Sequence, residues 1–285
     1  MLSVTAVVPT CDRPVFLRRA LQSIGEQELA PAEIIVVDDA GQEDATRAAL
    51  EGRDFGSVHV VAKSHAKGPS GARNTGAEIA TGELLAFLDD DDEWLPSYLS
   101  EALRLFELND LDILCTDLLC RFEDGVDRIG KAAPDRLNTE LFLTRNPGLV
   151  GSNVVIRRAL YRALRGFDES LWAAEDMDLG VRLSLRPRVK YKRLPKGLVR
   201  VNQHKGPKLS MHGGDAMRQG IGRFYELHSH RMTEEQRNEF RSNVRRFWGI
   251  DEHGNKLNLT PKVYADSLLP TLKAWLDQKR LGVQK

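Results

Sequence analysis

The chain has 285 residues, of which 41% are hydrophobic and 29% charged, a composition that suits a globular protein with one or two cores and excludes disorder, collagen-like repeats and a disulfide scaffold. The 41 Lys and Arg balance 41 Asp and Glu, so bulk charge offers no reason to expect a nucleic-acid partner. Cys11, Cys115 and Cys120 are too few for a zinc ribbon and odd in number for disulfide pairing, no apolar run approaches the roughly 18–20 residues that span a bilayer, and the N-terminus resembles no signal peptide, so a cytoplasmic protein, at most peripheral to a membrane, is expected.

Four nearly continuous apolar runs, Val4 to Val8, Ile34 to Val37, Val58 to Val61 and Leu84 to Leu88, read as strands buried on both faces. Helical spacing separates them: Pro14 to Gly25, with Phe16, Leu17, Ala20, Leu21 and Ile24 on one face, then Glu43 to Leu50 and Ala72 to Ala80. This alternation predicts an α/β layer with a mostly parallel sheet. A helix through Tyr98 to Phe106, a strand at Asp112 to Leu119, a hairpin at Asp124-Gly125, a helix at Thr139 to Thr144, a strand at Asn153 to Arg157 and a helix at Glu175 to Leu185 make a mixed second half. Beyond Gly213 strand signals stop, and helices are expected at Glu234 to Phe247 and Val263 to Leu281.

The densest chemical signal is Asp89-Asp90-Asp91-Asp92-Glu93, directly after a strand, where open α/β sheets bind ligands. Such hard oxygen donors suit Mg²⁺ or Mn²⁺; a solvated acidic turn leading into the next helix is the alternative. Asp38-Asp39 ends another strand, and either an Asx turn before the next helix or a hydrogen bond to a base or ribose would use it. Between them, Gly68 to Gly76 contains glycines and Arg73 near a helix start, a setting for phosphate, but lacks the Gly-Lys-Ser/Thr ending of a Walker loop. No G-x-G-x-x-G follows a strand, which disfavours a nicotinamide cofactor.

The order of Val7-Val8-Pro9-Thr10-Cys11-Asp12-Arg13, Glu33 to Asp39, Ala72-Arg73-Asn74-Thr75-Gly76, Phe87 to Pro96, Gly166-Phe167-Asp168-Glu169 and Glu175-Asp176-Met177-Asp178-Leu179 resembles inverting glycosyltransferase family 2 with the GT-A fold, from Leu2 to roughly Met211. The resemblance implies that Pro9 and Cys11 line a nucleotide-base pocket, that Asp39 accepts from the base, and that Arg13 and Arg73 lie beside the nucleotide sugar. It further implies that Asp89 to Asp91 form the Asp-x-Asp element, with Asp90 near the ribose and Asp91 ligating Mn²⁺ or Mg²⁺, and that Asp176 is the general base. Cys11 stands where relatives often carry Tyr or Phe, and Asp12 where they often carry Asn; uracil remains the expected base. His204-Lys205-Gly206-Pro207-Lys208-Leu209-Ser210 resembles a loop that closes over the diphosphate, which makes Lys205 a diphosphate contact and His204 a metal ligand.

From Leu179 to Gly214 no acidic residue occurs while Arg and Lys crowd in, read as a solvated basic face, a face docked on an acidic C-terminal helix, or one meeting anionic lipid or glycan. Phe224, Tyr225, Phe247, Trp248, Tyr264 and Trp275 read as a helical packing seam or dimer contact ahead of an interfacial membrane helix, and His228 and His230 as surface residues. The expected organisation is a GT-A domain over 1–212, its nucleotide-sugar half 1–115 and its acceptor half 116–212, then a helical extension over 213–285. The expected reaction is metal-dependent sugar transfer from a nucleotide diphosphate sugar to a saccharide or lipid-linked saccharide in bacterial surface-polysaccharide assembly. A sugar-nucleotide-forming nucleotidyltransferase and a non-catalytic sugar-nucleotide or polyanion binding module are the rivals.

Overall fold

The computed structural model describes residues 2–52, 55, 57–122, 124–203 and 214–257. The first run forms β1 (Val4–Thr10), buried throughout, and α1 (Pro14–Gly25) follows with Pro14 in its first turn and Leu17, Ala20, Leu21 and Ile24 turned inward. The alternation continues through β2 (Glu33–Asp38), α2 (Glu43–Leu50), β3 (Val58–Ala62), α3 (Pro69–Ile79) and β4 (Leu84–Phe87). α3 begins at Pro69, ahead of the expected Ala72, because proline at the first helical position has its φ preset and lacks the N–H that would go unpaired there. β2 pairs with β1 and β3, and β4 with β1, all in parallel.

The second half contains β5 (Asp92–Trp94), α4 (Tyr98–Asn109), β6 (Ile113–Arg121), β7 (Asp127–Ile129), α5 (Thr139–Thr144), β8 (Val154–Arg157), α6 (Arg158–Ala163), α7 (Glu175–Ser184) and β9 (Tyr191–Asn202). β8 lies antiparallel between β4 and β6, β6 pairs in parallel with β9, and β5 runs antiparallel to β9, giving the order β3-β2-β1-β4-β8-β6-β9-β5 with β7 on β6. The sheet is thus parallel in its first half and mixed in its second, and β6 straddles position 115. One core cluster lies on the α1 and α4 side, with Leu17, Leu21, Tyr98 and Phe106; the other gathers Val7, Phe87, Phe142, Met177 and Phe224.

Within the basic stretch, Tyr191–Asn202 is strand β9, and three of its cations meet carboxylates from earlier in the chain: Arg193 pairs with Asp117 and Asp135, Lys196 with Glu101, and Arg200 with Glu93 and Asp127. After it come α8 (Asp215–His228), which the apolar pattern did not announce, and α9 (Glu234–Trp248), opened by a capping box between Thr233 and Gln236 and closed by Gly249 at φ +66°. Met217, Ile221, Phe224, Phe240 and Val244 from these helices join the core of the second half. Phe224 and Tyr225 stack on Phe240 at 5.8 and 5.6 Å between centroids, an internal packing seam, whereas Phe247 is exposed. Tyr264, Trp275 and the helix expected at 263–281 lie outside the described residues. No helix among the described residues is long and apolar enough to cross a membrane.

α3 sits so close to the sheet that a Cβ at Gly76 would fall 2.4 Å from Val7 Cγ1 and 3.2 Å from Val37 Cγ2. Gly76→Ala should therefore lower unfolding free energy by about 1–3 kcal/mol, seen as a reduced urea midpoint at unchanged m-value.

Candidate active site

The carboxyl ends of β1, β2 and β4 converge, and each acidic group there is held differently. Asp38 serves the backbone: it accepts from Ala40 N at 2.7 Å, Gln42 N at 2.9 Å and Thr46 Oγ1 at 3.0 Å, an Asx-type turn into α2. Asp39 is buried and accepts from Gly68 N at 3.0 and 3.1 Å, at the N-terminus of α3 where the helix dipole favours a carboxylate, with Lys63 Nζ 3.7 Å away. Pro9 is buried in β1, and Cys11 is exposed just beyond it, its thiol pushed up by burial and by Asp39.

The aspartate run divides into sealed and open members. Asp90 has no exposed side-chain surface; it accepts from Thr10 Oγ1 at 2.7 Å and Arg13 Nε at 3.1 Å and forms an ion pair with Arg13 Nη2. Burial pushes its carboxyl up to about 7 against the pull of Arg13. Asp92 is also buried, accepts from Ser152 Oγ at 2.6 Å, and is pushed well up by burial and the neighbouring carboxylates. Asp91, 3.2 Å from Arg13 Nη1, keeps 19% of its side chain exposed, and Asp89, 2.5 Å from Arg73 Nη2, keeps 32%.

Asp90, placed near a ribose by resemblance, is buried against Thr10 and Arg13. Arg13 and Arg73, expected beside the nucleotide sugar, pair with Asp90 and Asp91 and with Asp89 and Glu175, respectively.

Arg73 is 3% exposed and reaches both halves of the chain: Nη2 donates to Asp89, Nη1 donates to Glu175 Oε1 at 3.0 Å, and the guanidinium lies 5.1 Å from the centroid of Phe167. The residues after it are equally occupied. Asn74 donates to Phe167 O at 2.9 Å and Glu169 Oε1 at 2.7 Å and accepts from Tyr161 Oη at 2.6 Å, while Thr75 Oγ1 donates to Gly71 O and accepts from Ser64 N. A Cβ at Gly71 would overlap the Ala66 carbonyl, so Gly71, like Gly76, serves close packing, whereas Gly68 supplies a backbone φ of +118°.

α7 opens with Glu175, Asp176 and Asp178 after Ala174 at φ +63°. Asp176 Oδ1 is buried without a hydrogen-bond partner among the described residues. Its carboxyl is pushed well above the ordinary value by burial and by Glu175 and Asp89, with Arg73 and the Gly151 N–H pulling the other way. The 151–153 segment is stitched to the aspartate run as well: Asp89 N donates to Ser152 Oγ at 3.1 Å, and Trp94 Nε1 to Ser152 O at 2.9 Å. Neither Ser152 nor the pairing of Glu175 with Arg73 left a signal in the sequence.

His228 corrects the surface expectation. It is buried, with Nε2 2.9 Å from Asp178 Oδ1, while Arg182 Nε donates to Asp178 Oδ2 at 2.7 Å. The spacing of Met217, Ile221, Phe224 and His228 was the available signal, since it puts the imidazole on the apolar face of a helix. His230 is exposed.

Among the described residues no three His, Cys, Asp or Glu side chains form a ready-made metal cage. The donor set nevertheless fits a hard divalent cation: Asp89 and Asp91 are partly exposed carboxylates at a strand end, and Mg²⁺ commonly takes one or two carboxylates with substrate phosphates completing its shell. His204 and Lys205 lie outside the described residues.

A family model described as Glycosyl transferase family 2 matches residues 5–165. The GalNAc(5)-diNAcBac-PP-undecaprenol beta-1,3-glucosyltransferase of Campylobacter jejuni is 36% identical over 106 residues, covering 36% of this chain and 34% of that protein. The UDP-Glc:alpha-D-GlcNAc-diphosphoundecaprenol beta-1,3-glucosyltransferase of Escherichia coli is 26% identical over 157 residues, covering 55% of this chain and 61% of that one. This chain therefore spans less than two thirds of either relative. Among solved structures, S. aureus TarS in complex with UDP-GlcNAc superposes with a TM-score of 0.64 at 18% identity, over 96% of this chain and 81% of that one.

Removing Arg73 would leave Asp89 and Glu175 facing each other in a largely dry site. Arg73→Met should cost about 3–5 kcal/mol of stability, the scale for stripping one partner from a buried ion pair, measured by chemical denaturation.

Proposed function

The chain belongs to glycosyl transferase family 2, and from that membership and the geometry of the site we propose that it transfers a sugar, with inversion, from a nucleotide diphosphate donor to a hydroxyl of a saccharide or lipid-linked saccharide. Its fold is GT-A. The observation that carries the reading is Asp176: a carboxylate at the start of α7 with one buried, unpartnered oxygen and a raised pKa, linked through Glu175 and Arg73 to Asp89.

In this reading Asp176 takes the proton of the acceptor hydroxyl as its oxygen bonds to the anomeric carbon and the bond from that carbon to the diphosphate breaks. A raised pKa brings the base closer to working pH, where proton transfer is most effective. Asp91, with Asp89 beside it, holds Mn²⁺ or Mg²⁺, which when bound supplies electrostatic stabilisation of the negative charge left on the diphosphate. Pro9, Cys11 and Asp39 border the base, Asp90 lies near the ribose, Arg13 and Arg73 lie beside the nucleotide sugar while pairing with the carboxylates, Lys205 meets the diphosphate, and His204 is a further metal ligand. UDP as donor nucleotide draws support from the UDP-Glc-dependent E. coli relative and from TarS in complex with UDP-GlcNAc, and a lipid-linked acceptor in bacterial surface-glycan assembly from the two undecaprenol-linked relatives. A cytoplasmic location, at most peripheral to the inner membrane face, is part of this reading.

The test is a donor screen by mass spectrometry against saccharide acceptors, with and without metal, beside calorimetry with UDP and Mn²⁺. Binding without turnover on a broad panel would favour a non-catalytic module. Asp176→Asn should lower kcat by about 10²–10⁴-fold while UDP binding persists, and Asp91→Ala should weaken metal-dependent UDP binding; full turnover in either variant rejects its role.

The pH profile gives a further check. Asp176 must be ionised to act, and its pKa lies well above 3.8, so transfer should rise with pH through that elevated value and fail on acidification earlier than for an ordinary aspartate.

A further inference from the structure

α8, in the C-terminal extension, makes unusually intimate contact with the turn that presents Asp176. A Cβ at Gly220 would lie 2.3 Å from the carbonyl oxygen of Ala173 and 2.6 Å from its nitrogen, so the helix backbone rests directly on the residue that precedes Ala174 and the Glu175-Asp176 pair. Ala174 itself is in the left-handed region, a conformation that costs a non-glycine residue energy and persists only where surroundings enforce it. At the far end of α8, buried His228 bonds Asp178 across to α7, and between them Arg223 Nε donates to Ser170 Oγ at 3.1 Å. Met217, Ile221 and Phe224 lie in the same core cluster as Leu171, Ala173, Met177 and Leu179.

We propose that α8 is a clamp on the Ala173–Asp176 turn, in which Gly220 permits backbone contact and His228 is a positioning residue that fixes α7 through Asp178. This rests on the assignment of Asp176 as the general base. The groups facing His228 are Asp178 and Arg182 on α7 and the ring of Phe224 on its own helix, centroid 4.8 Å away. Those around Asp176 are Glu175, Asp89 and Arg73, with the Gly151 N–H and the buried thiol of Cys115 on β6.

The experiment compares the 285-residue wild-type chain with Gly220→Ala, His228→Phe and the conservative His228→Gln, whose amide can still donate to Asp178. Amide hydrogen exchange over 173–178, UDP binding by calorimetry and the pH dependence of transfer are read together. The expected result for Gly220→Ala and His228→Phe is faster exchange in that turn, UDP affinity within twofold of wild type, and kcat reduced at least tenfold. The acid limb should move to lower pH as water reaches Asp176, and His228→Gln should restore most of kcat. Unaltered exchange at 173–178, or a kcat loss that only tracks the folded fraction with the acid limb unmoved, overturns the proposal. If Gly220→Ala does not fold, the two His228 variants decide it. Faster exchange in variants of a wild type that transfers no sugar would uphold the clamp and refute the transferase reading instead.

Discussion

A guanidinium buried to 3% exposure cannot stand without compensation, and the way Arg73 obtains it organises the molecule. Its two carboxylate partners arrive from separate parts of the chain, Asp89 from the end of β4 and Glu175 from the start of α7. Satisfying one charge therefore joins α3, the central sheet and the helix of the second half at a single point. Asp176 follows Glu175 in the chain, so the proposed base is located by an electrostatic requirement of the interior. Asn74, the next residue of α3, repeats the connection in neutral form by holding Phe167 and Glu169.

The aspartate run shows how a stretch of like charge is made tolerable. Like charges in close sequence raise one another's pKa unless positive groups or hydrogen bonds intervene. Here the second and fourth carboxylates turn inward to Thr10, Arg13 and Ser152, and only Asp89 and Asp91 retain open surface. Alternation after the strand end thus separates buried carboxylates from partly exposed ones, with Arg13 bridging the two kinds.

What the sequence disclosed follows the range of the interactions involved. β1 to β4 and α1 were legible because continuous apolar runs and a proline-led helix carry their signals within a few residues. The carboxylates at strand ends were legible for the same reason. β9 was not, because its Leu194, Leu198 and Val199 are interleaved with cations that become tolerable only beside Glu93, Glu101, Asp117, Asp127 and Asp135, all far away in sequence. The burial of Arg73 between Asp89 and Glu175 was not legible, because residue type shows charge but not burial. His228 reads as a surface residue by type alone, although its helical spacing with Met217, Ile221 and Phe224 places it inward.

The ion pairs of β9 bear on the order in which the protein is made. Each carboxylate that β9 uses lies earlier in the chain, and the parallel pairing of β6 with β9 spans a long intervening segment. A nascent chain emerging from the ribosome would expose Asp117 without its Arg193 partner beside the half-built edge of β6 until the cationic strand followed, while Glu93 and Asp127 already have Arg19 and Arg121. Non-local pairings of this kind are paid for in loop entropy before they are rewarded. The second half of the sheet consequently has a vectorial assembly, in which an early translation pause or a truncation before residue 191 would strand an acidic, unpaired edge.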